Sequence, residues 1–271
     1  MEIMNNARPK IAMSIAGSDS GAGAGIQADL KTFAALNVYG TCVITAVTAQ
    51  NTVEVSGVEM MNNQIISSQF NSLKTDLYPN AIKIGMLGTD EVVLLISELI
   101  GTTNDIPIVL DPVMVAKSGD QLISDNAIKI MKENLIPKST LLTPNIPEAE
   151  VLSGMKINTK TDMLKASQKI LNLGPQYLLL KGGHMKGDPI DLLFNEKEGL
   201  ILELPQKRIY TKNTHGTGCT FSSAITAELA KGENFIDSVR IGQKYVYESI
   251  LHSIELGKGH GPLNHLYKFY N

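Results

Sequence analysis

Short apolar runs alternate along the chain with segments whose apolar positions recur at helical spacing. Residues 10–16 read as a buried first strand, and Ile26, Leu30, Phe33 and Leu36 then mark one face of a helix. Residues 41–51 are β-rich and residues 53–60 alternate apolar with polar, which predicts a strand leading into a small β flap. An amphipathic helix follows over 65–77, a strand over 81–87 and a helix over 90–100. An apolar strand starting at Pro107 ends in the acid Asp111, and 127–135 is helical. A strand starting at Ser139 again ends in polar residues, a helix covers 166–173, residues 177–184 read as a buried strand ending in a lysine and two glycines, and 190–194 with 200–204 read as a hairpin. Residues 208–211 form a short extended run. Phe221, Ala224, Ile225 and Leu229 then mark a helix that Lys231-Gly232 stops, and the last helix covers 235–256. Strand and helix in alternation imply an α/β fold, a mostly parallel central sheet with helices on both faces.

Composition narrows the class. At 271 residues and 43% hydrophobic content the chain can bury a large core, and one domain over 1–271 is expected. A formal charge of −3 argues against nucleic-acid binding and leaves a small ligand as the partner. Cys42 and Cys219 form neither a disulfide framework nor a CxxC metal pattern, which suits a reducing cytoplasm. Cys42 reads as a core residue. The first ten residues lack an apolar signal region, and no apolar run is long enough to cross a bilayer, so a soluble cytoplasmic protein with no membrane partner is expected.

Candidate chemistry gathers at loops that follow strands. Asn213-Thr214-His215-Gly216-Thr217-Gly218-Cys219-Thr220 is a glycine loop feeding a helix. Free N–H groups at such a helix start accept an anion, and the positive end of the dipole is expected to lower the pKa of Cys219. The alternative is a turn that only caps a core helix. Residues 17–25 form a second glycine loop, but neither GxGxxG nor GxxxxGK[ST] occurs, so close approach of backbone to another small ligand competes with plain helix–strand packing. Gln50 and Asn51 offer amides that read a heterocycle edge or cap a turn. Met86 either lines a pocket or belongs to the core. Asp111 faces the ligand edge of a parallel sheet, where it holds Mg²⁺ through water or caps a helix. Asn145 and Glu148, three apart, serve magnesium–phosphate chemistry or a capping box equally well. Lys181 ends a buried strand and is placed to neutralise phosphate. Residues 116–120 read as a mobile lid. His184 and His215 read as loop-shaping residues.

These segments closely resemble the hydroxymethylpyrimidine/phosphomethylpyrimidine kinases of thiamin synthesis, within the ribokinase-like superfamily. The resemblance runs from Ile15-Ala16-Gly17-Ser18-Asp19 and Gly23-Ala24-Gly25-Ile26-Gln27-Ala28-Asp29 to Gly257-Lys258-Gly259. Between them lie Thr45-Ala46-Val47-Thr48-Ala49-Gln50-Asn51-Thr52, Lys83-Ile84-Gly85-Met86-Leu87, Asp111-Pro112-Val113-Met114, Thr143-Pro144-Asn145-Ile146-Pro147-Glu148, Lys181-Gly182-Gly183-His184 and the 213–219 loop. It implies a ribokinase-like three-layer α/β/α sandwich with a small β flap. It also implies that a pyrimidine binds among Gly17, Ala24, Asp29, Gln50, Met86 and Val113, with Gln50 reading the ring edge. Asp111, Asn145 and Glu148 would organise Mg²⁺, and Lys181 would contact ATP phosphates, with Thr217 and Lys244 as further nucleotide contacts. Gly216, Gly218 and Cys219 would form the anion hole and flank the acceptor hydroxyl.

The reaction so implied is ATP-dependent phosphorylation of 4-amino-5-hydroxymethyl-2-methylpyrimidine and then of its monophosphate. Lys117, in the lid, is expected to help the second step. Dimers are common among similar proteins, and on that ground a homodimer is expected. The nearest rival is a pyridoxal kinase. A dual-cysteine subgroup of those enzymes carries a second cysteine where this chain has Ala116, which counts against it. A cysteine hydrolase built on Cys219 and His215 lacks an identifiable third group. A non-catalytic pyrimidine sensor would not need Asp111, Glu148, Lys181 and Cys219 together.

Overall fold

A computed structural model describes residues 8–103, 106–114 and 123–269. The expected lid at 116–120, with Ala116 and Lys117, lies outside the described residues. The strands are β1 (Ile11–Asp19), β2 (Tyr39–Gln50), β3 (Val55–Met60), β4 (Ala81–Ile84), β5 (Ile108–Leu110), β6 (Leu141–Leu142), β7 (Tyr177–Leu180), β8 (Ile190–Asn195) and β9 (Gly199–Pro205). The helices are α1 (Gly25–Ala35), α2 (Asn63–Asp76), α3 (Asp90–Ile100), α4 (Asp125–Ile130), α5 (Ile146–Ser153), α6 (Lys160–Leu171), α7 (Thr217–Lys231) and α8 (Phe235–Leu251). They enclose a nine-stranded sheet of order β3-β2-β1-β4-β5-β6-β7-β8-β9, in which β2, β1, β4, β5, β6 and β7 run parallel. The antiparallel additions are β3, the flap strand, at one edge and the β8–β9 hairpin at the other.

Alternation of side chains along each strand divides the core in two. Met13, Ile15, Ile82, Ile84 and Leu110 pack with Ile66, Phe70, Ile96, Ala149 and Ile170 from α2, α3, α5 and α6. Ala12, Ala81, Val109 and Leu179 face the other way, against Phe33, Ala224, Ile225 and Val246 from α1, α7 and α8. Parallel strands buried on both faces need apolar residues at consecutive positions, and this produces the unbroken runs in the sequence. Ser14 pairs in register with Lys83, and both belong to the α1/α7 side by the same alternation.

Several expected boundaries move. The first strand runs on to Asp19, because Ser18 and Asp19 resume pairing with Val47 and Thr48 after a bulge. The strand expected over 81–87 stops at Ile84, and the last helix stops at Leu251 instead of 256. Residues 208–211 form no strand, and Arg208 there binds the carbonyls of Gly183, Met185 and Gly187. Beyond α8 a glycine-rich strap returns to the sheet. Gly259 N–H donates to Thr52 Oγ1 at 3.2 Å, His260 N–H donates to the Thr52 carbonyl at 2.8 Å, and Gly261 accepts from His215 N–H at 3.1 Å.

Candidate active site

At the carboxyl edge of the parallel strands, Asp19 ends β1 while Asp111, Asn145 and Lys181 follow closely on β5, β6 and β7. Lys181 Nζ donates to Asp111 Oδ1 at 2.7 Å, and Thr143 Oγ1 donates to the same oxygen at 3.1 Å. Glu148 is 3% exposed. Burial, the Lys181 ammonium and the Asp111 carboxylate act on it together and hold its carboxyl at about 7. Burial opposes ionisation of Asp111, but Lys181, Lys83 and the Thr143 hydroxyl outweigh it and keep this carboxyl below its ordinary value. Two buried acids therefore share one adjacent ammonium.

The Asn145–Glu148 spacing, open in the sequence, resolves into a capping box. Asn145 Oδ1 accepts from Glu148 N–H at 3.0 Å, and a Glu148 oxygen accepts from Asn145 N–H at 2.8 Å. Through this box the Asn145 side-chain oxygen orients Glu148. Among the described residues no group of three His, Cys, Asp or Glu is arranged to hold a metal ion.

The helix α7 delivers its first turn against this acid–lysine group. Its cap, Gly216, has φ +82°, and a Cβ there would meet the Gly23 carbonyl at 1.8 Å, so only glycine fits. A Cβ on Gly218 would lie 3.2 Å from Lys181 Nζ and 3.5 Å from Asp111 Oδ2. The pKa of Cys219 runs opposite to the sequence expectation. Burial dominates, Lys83 lowers, Asp29 and Asp111 raise, and the thiol is pushed up to about 11. Iodoacetamide should accordingly modify Cys219 slowly at pH 7 and show no thiolate titration below pH 9. Reaction that saturates near pH 7 would contradict this environment.

On the other side of α7's start, Gly17 faces Met86, whose sulfur would be 3.6 Å from an added Cβ. Gln50, at the end of β2, has its amide 3.2 Å from His215 Nε2, and that nitrogen is 2.8 Å from Asp19 Oδ2. His215 thus joins Asp19 and Gln50, and the geometry offers no support for a Cys219–His215 nucleophile pair. Asp19 also accepts from the N–H groups of Gly21, Gly23 and Ala24 at 2.8, 3.1 and 2.8 Å, which shapes the first glycine loop. Ala24 caps α1 in extended backbone, and Val113, after Asp111, is half-buried.

Three expected contacts are corrected or weakened. Asp29 is fully buried: it is ion-paired to Lys83 at 2.8 Å and accepts from Ser14 Oγ at 2.5 Å and Ser223 Oγ at 2.6 Å. Having no exposed surface, it does not line a ligand pocket. Thr217 donates both its hydroxyl, at 2.8 Å, and its backbone N–H, at 3.4 Å, to the Thr214 carbonyl. Lys244 is exposed on α8, and no contact described for the site reaches it. Sequence reasoning gave no role to Asp19 or Lys83. Lys83 was detectable as a lone charge inside the apolar run 81–84.

The family model for phosphomethylpyrimidine kinase matches residues 19–264. The chain belongs to this family. Curated relatives named hydroxymethylpyrimidine/phosphomethylpyrimidine kinase include one from Bacillus subtilis, 43% identical with 94% of each chain covered. Another, from Rhizobium meliloti, is 44% identical over 96% of this chain and 98% of its own. Among solved structures, Clostridium difficile phosphomethylpyrimidine kinase is 42% identical at a TM-score of 0.79, covering 89% of this chain and 99% of its own. The ADP complex of a Bacillus subtilis pyridoxal kinase is 36% identical at a TM-score of 0.90, covering 97% of this chain and all of its own. Backbone overlap thus extends across both activities. Identity is higher towards the pyrimidine kinases, and the fold of this family member is ribokinase-like, as the resemblance implied.

Proposed function

We infer that this kinase transfers the γ-phosphoryl group of ATP to the hydroxymethyl group of 4-amino-5-hydroxymethyl-2-methylpyrimidine, and then to its monophosphate to give the diphosphate. The observation carrying the reading is the first turn of α7, with Gly218 against Lys181 and Asp111 and Cys219 beside it. N–H groups of that turn would receive the transferring phosphoryl, and Lys181 would neutralise charge on its oxygens, as a loose transition state requires. With its thiol held protonated by burial, Cys219 would position the acceptor hydroxyl as it binds. Gly17, Met86, Ala24 and Val113 would frame the ring, and Gln50 would meet its edge.

Mg²⁺ fits the acid pair. Asp111 and Glu148 are hard oxygen donors, and Glu148, held at about 7, has a proton that a divalent cation would displace. Both would hold the ion through its waters, and Mg²⁺ there supplies charge neutralisation for the phosphates. The reading extends to a cytoplasmic homodimer. Among the described residues no helix is long and apolar enough to cross a membrane.

Turnover with ATP and Mg²⁺ tests the assignment, with hydroxymethylpyrimidine, its monophosphate and pyridoxal compared at equal concentrations and products weighed by mass spectrometry. Diphosphate from the monophosphate is the expected result. Turnover confined to pyridoxal would overturn it.

A further inference from the structure

Asp19 is 4% exposed, and although burial resists its ionisation, hydrogen bonds from His215, Ala24 and Gly21 keep it below the ordinary carboxylate range. An ionised carboxylate only accepts, so the His215 Nε2 lying 2.8 Å from Oδ2 must carry the ring's hydrogen. That same nitrogen faces Gln50 Nε2 at 3.2 Å, which sets donor against donor. At the other end of the amide, the Thr48 hydroxyl lies 3.3 Å from Gln50 Oε1 while donating to the Ser18 carbonyl at 3.0 Å. One hydroxyl has one hydrogen, so with it on Ser18 the oxygen of Thr48 is an acceptor. A half-turn of the amide removes both clashes: the carbonyl oxygen shares the single His215 Nε2–H with Asp19 in a three-centre bond, and the NH₂ donates to Thr48.

We propose that Asp19 and His215 are positioning residues that lock Gln50 in this orientation and so select heterocycles carrying an amino group next to a ring nitrogen. The inference rests on the reading of Gln50 as the group that meets the ring. Once locked, the amide has one lone pair and one hydrogen left, side by side. An amino group beside a ring nitrogen offers the complementary donor and acceptor, whereas pyridoxal has no ring amino group. The selection is set by a buried acid that does not itself meet the ring.

The test combines a spectroscopic and a kinetic reading on the full chain. In ¹⁵N spectra of the free protein His215 is expected as the Nε2–H tautomer, and an Nδ1–H tautomer would overturn the proposal. His215→Ala is expected to raise KM for hydroxymethylpyrimidine about tenfold, the loss of about one hydrogen bond, while kcat and KM for ATP move less than about threefold. His215→Gln, whose terminal NH₂ can replace Nε2–H, should recover most of that loss. In a Gln50→Ala background His215→Ala should add nothing, since the two act as a unit. Additive losses, or a loss carried by kcat and KM for ATP, would overturn the proposal and make His215 a general support of the loop. An unmoved KM in Gln50→Ala alone would instead remove the reading of Gln50, and the inference with it.

Discussion

Replacing Lys181 with methionine should lower kcat by about 10²–10³-fold, the usual scale for removing one preorganised charge from a transition-state site. Methionine keeps the stem and removes only the ammonium that meets Asp111 at 2.7 Å. Stability should fall as well, by about 3 kcal/mol at neutral pH, because two buried carboxyls lose their nearest cation. The dependence on pH has a definite sign. Asp111, depressed by Lys181 in the native protein, contributes stability above its unfolded pKa that is lost as pH falls through the folded one. Glu148 is raised from 4.5 to about 7, so its contribution is complete below 4.5 and disappears as pH rises through 7. Without Lys181 the first benefit vanishes and the second penalty grows, and both widen the deficit with rising pH. Thermal unfolding at pH 5.5 and pH 8 should therefore show the larger gap in Tm at pH 8. An equal gap would mean that Lys181 is not coupled to the acids in the folded protein.

Asp29→Leu should be the most destabilising single change in the α1–β4–α7 region, at about 3–5 kcal/mol, or roughly 10 °C in Tm. The substitution leaves Lys83 as an ammonium with no exposed surface and no ion-pair partner, with only the more distant Asp111 carboxylate acting on it, and leaves the Ser14 and Ser223 hydroxyls without their acceptor. The double change Asp29→Leu with Lys83→Met should recover much of the loss, because a buried ion pair replaced whole by apolar groups is often nearly neutral. Measured by denaturant unfolding, a double variant as unstable as the sum of its parts would show that the pair is not the dominant interaction. Lys83 lowers and Asp29 raises the Cys219 pKa, so removing the pair together takes away two opposing effects and should leave the thiol protonated at neutral pH.

Legibility in the sequence followed the range of the interaction. Apolar strand runs ending in Asp111 and Lys181 were plain, because burial on both faces of a parallel strand and a polar ligand edge are local patterns. The 145–148 spacing was local too, yet it suited a cap and a cation site equally, and only the two hydrogen bonds show that the cap is formed. Cys219 misled. Its helix start was legible, but burial and the carboxylates of Asp29 and Asp111, distant in sequence, set its pKa. Asp19 and His215 are 196 positions apart, and nothing in either motif announces the other. Lys83 was overlooked because its partner lies on a different element, although a charge inside a four-residue apolar strand already demands one.

The strap after α8 has a bearing on how the kinase is made. It fastens Thr52, next to the residues expected to read the ring, to the loop that opens α7, through bonds from Gly259, His260 and Gly261. A ribosome emits this segment after every strand of the sheet. A nascent chain can therefore complete its hydrophobic layers before its flap and its anion loop are tied together. Chains that stop short of the strap would carry most of the fold without the alignment that turnover needs, so competence arrives only after every strand of the sheet has been made.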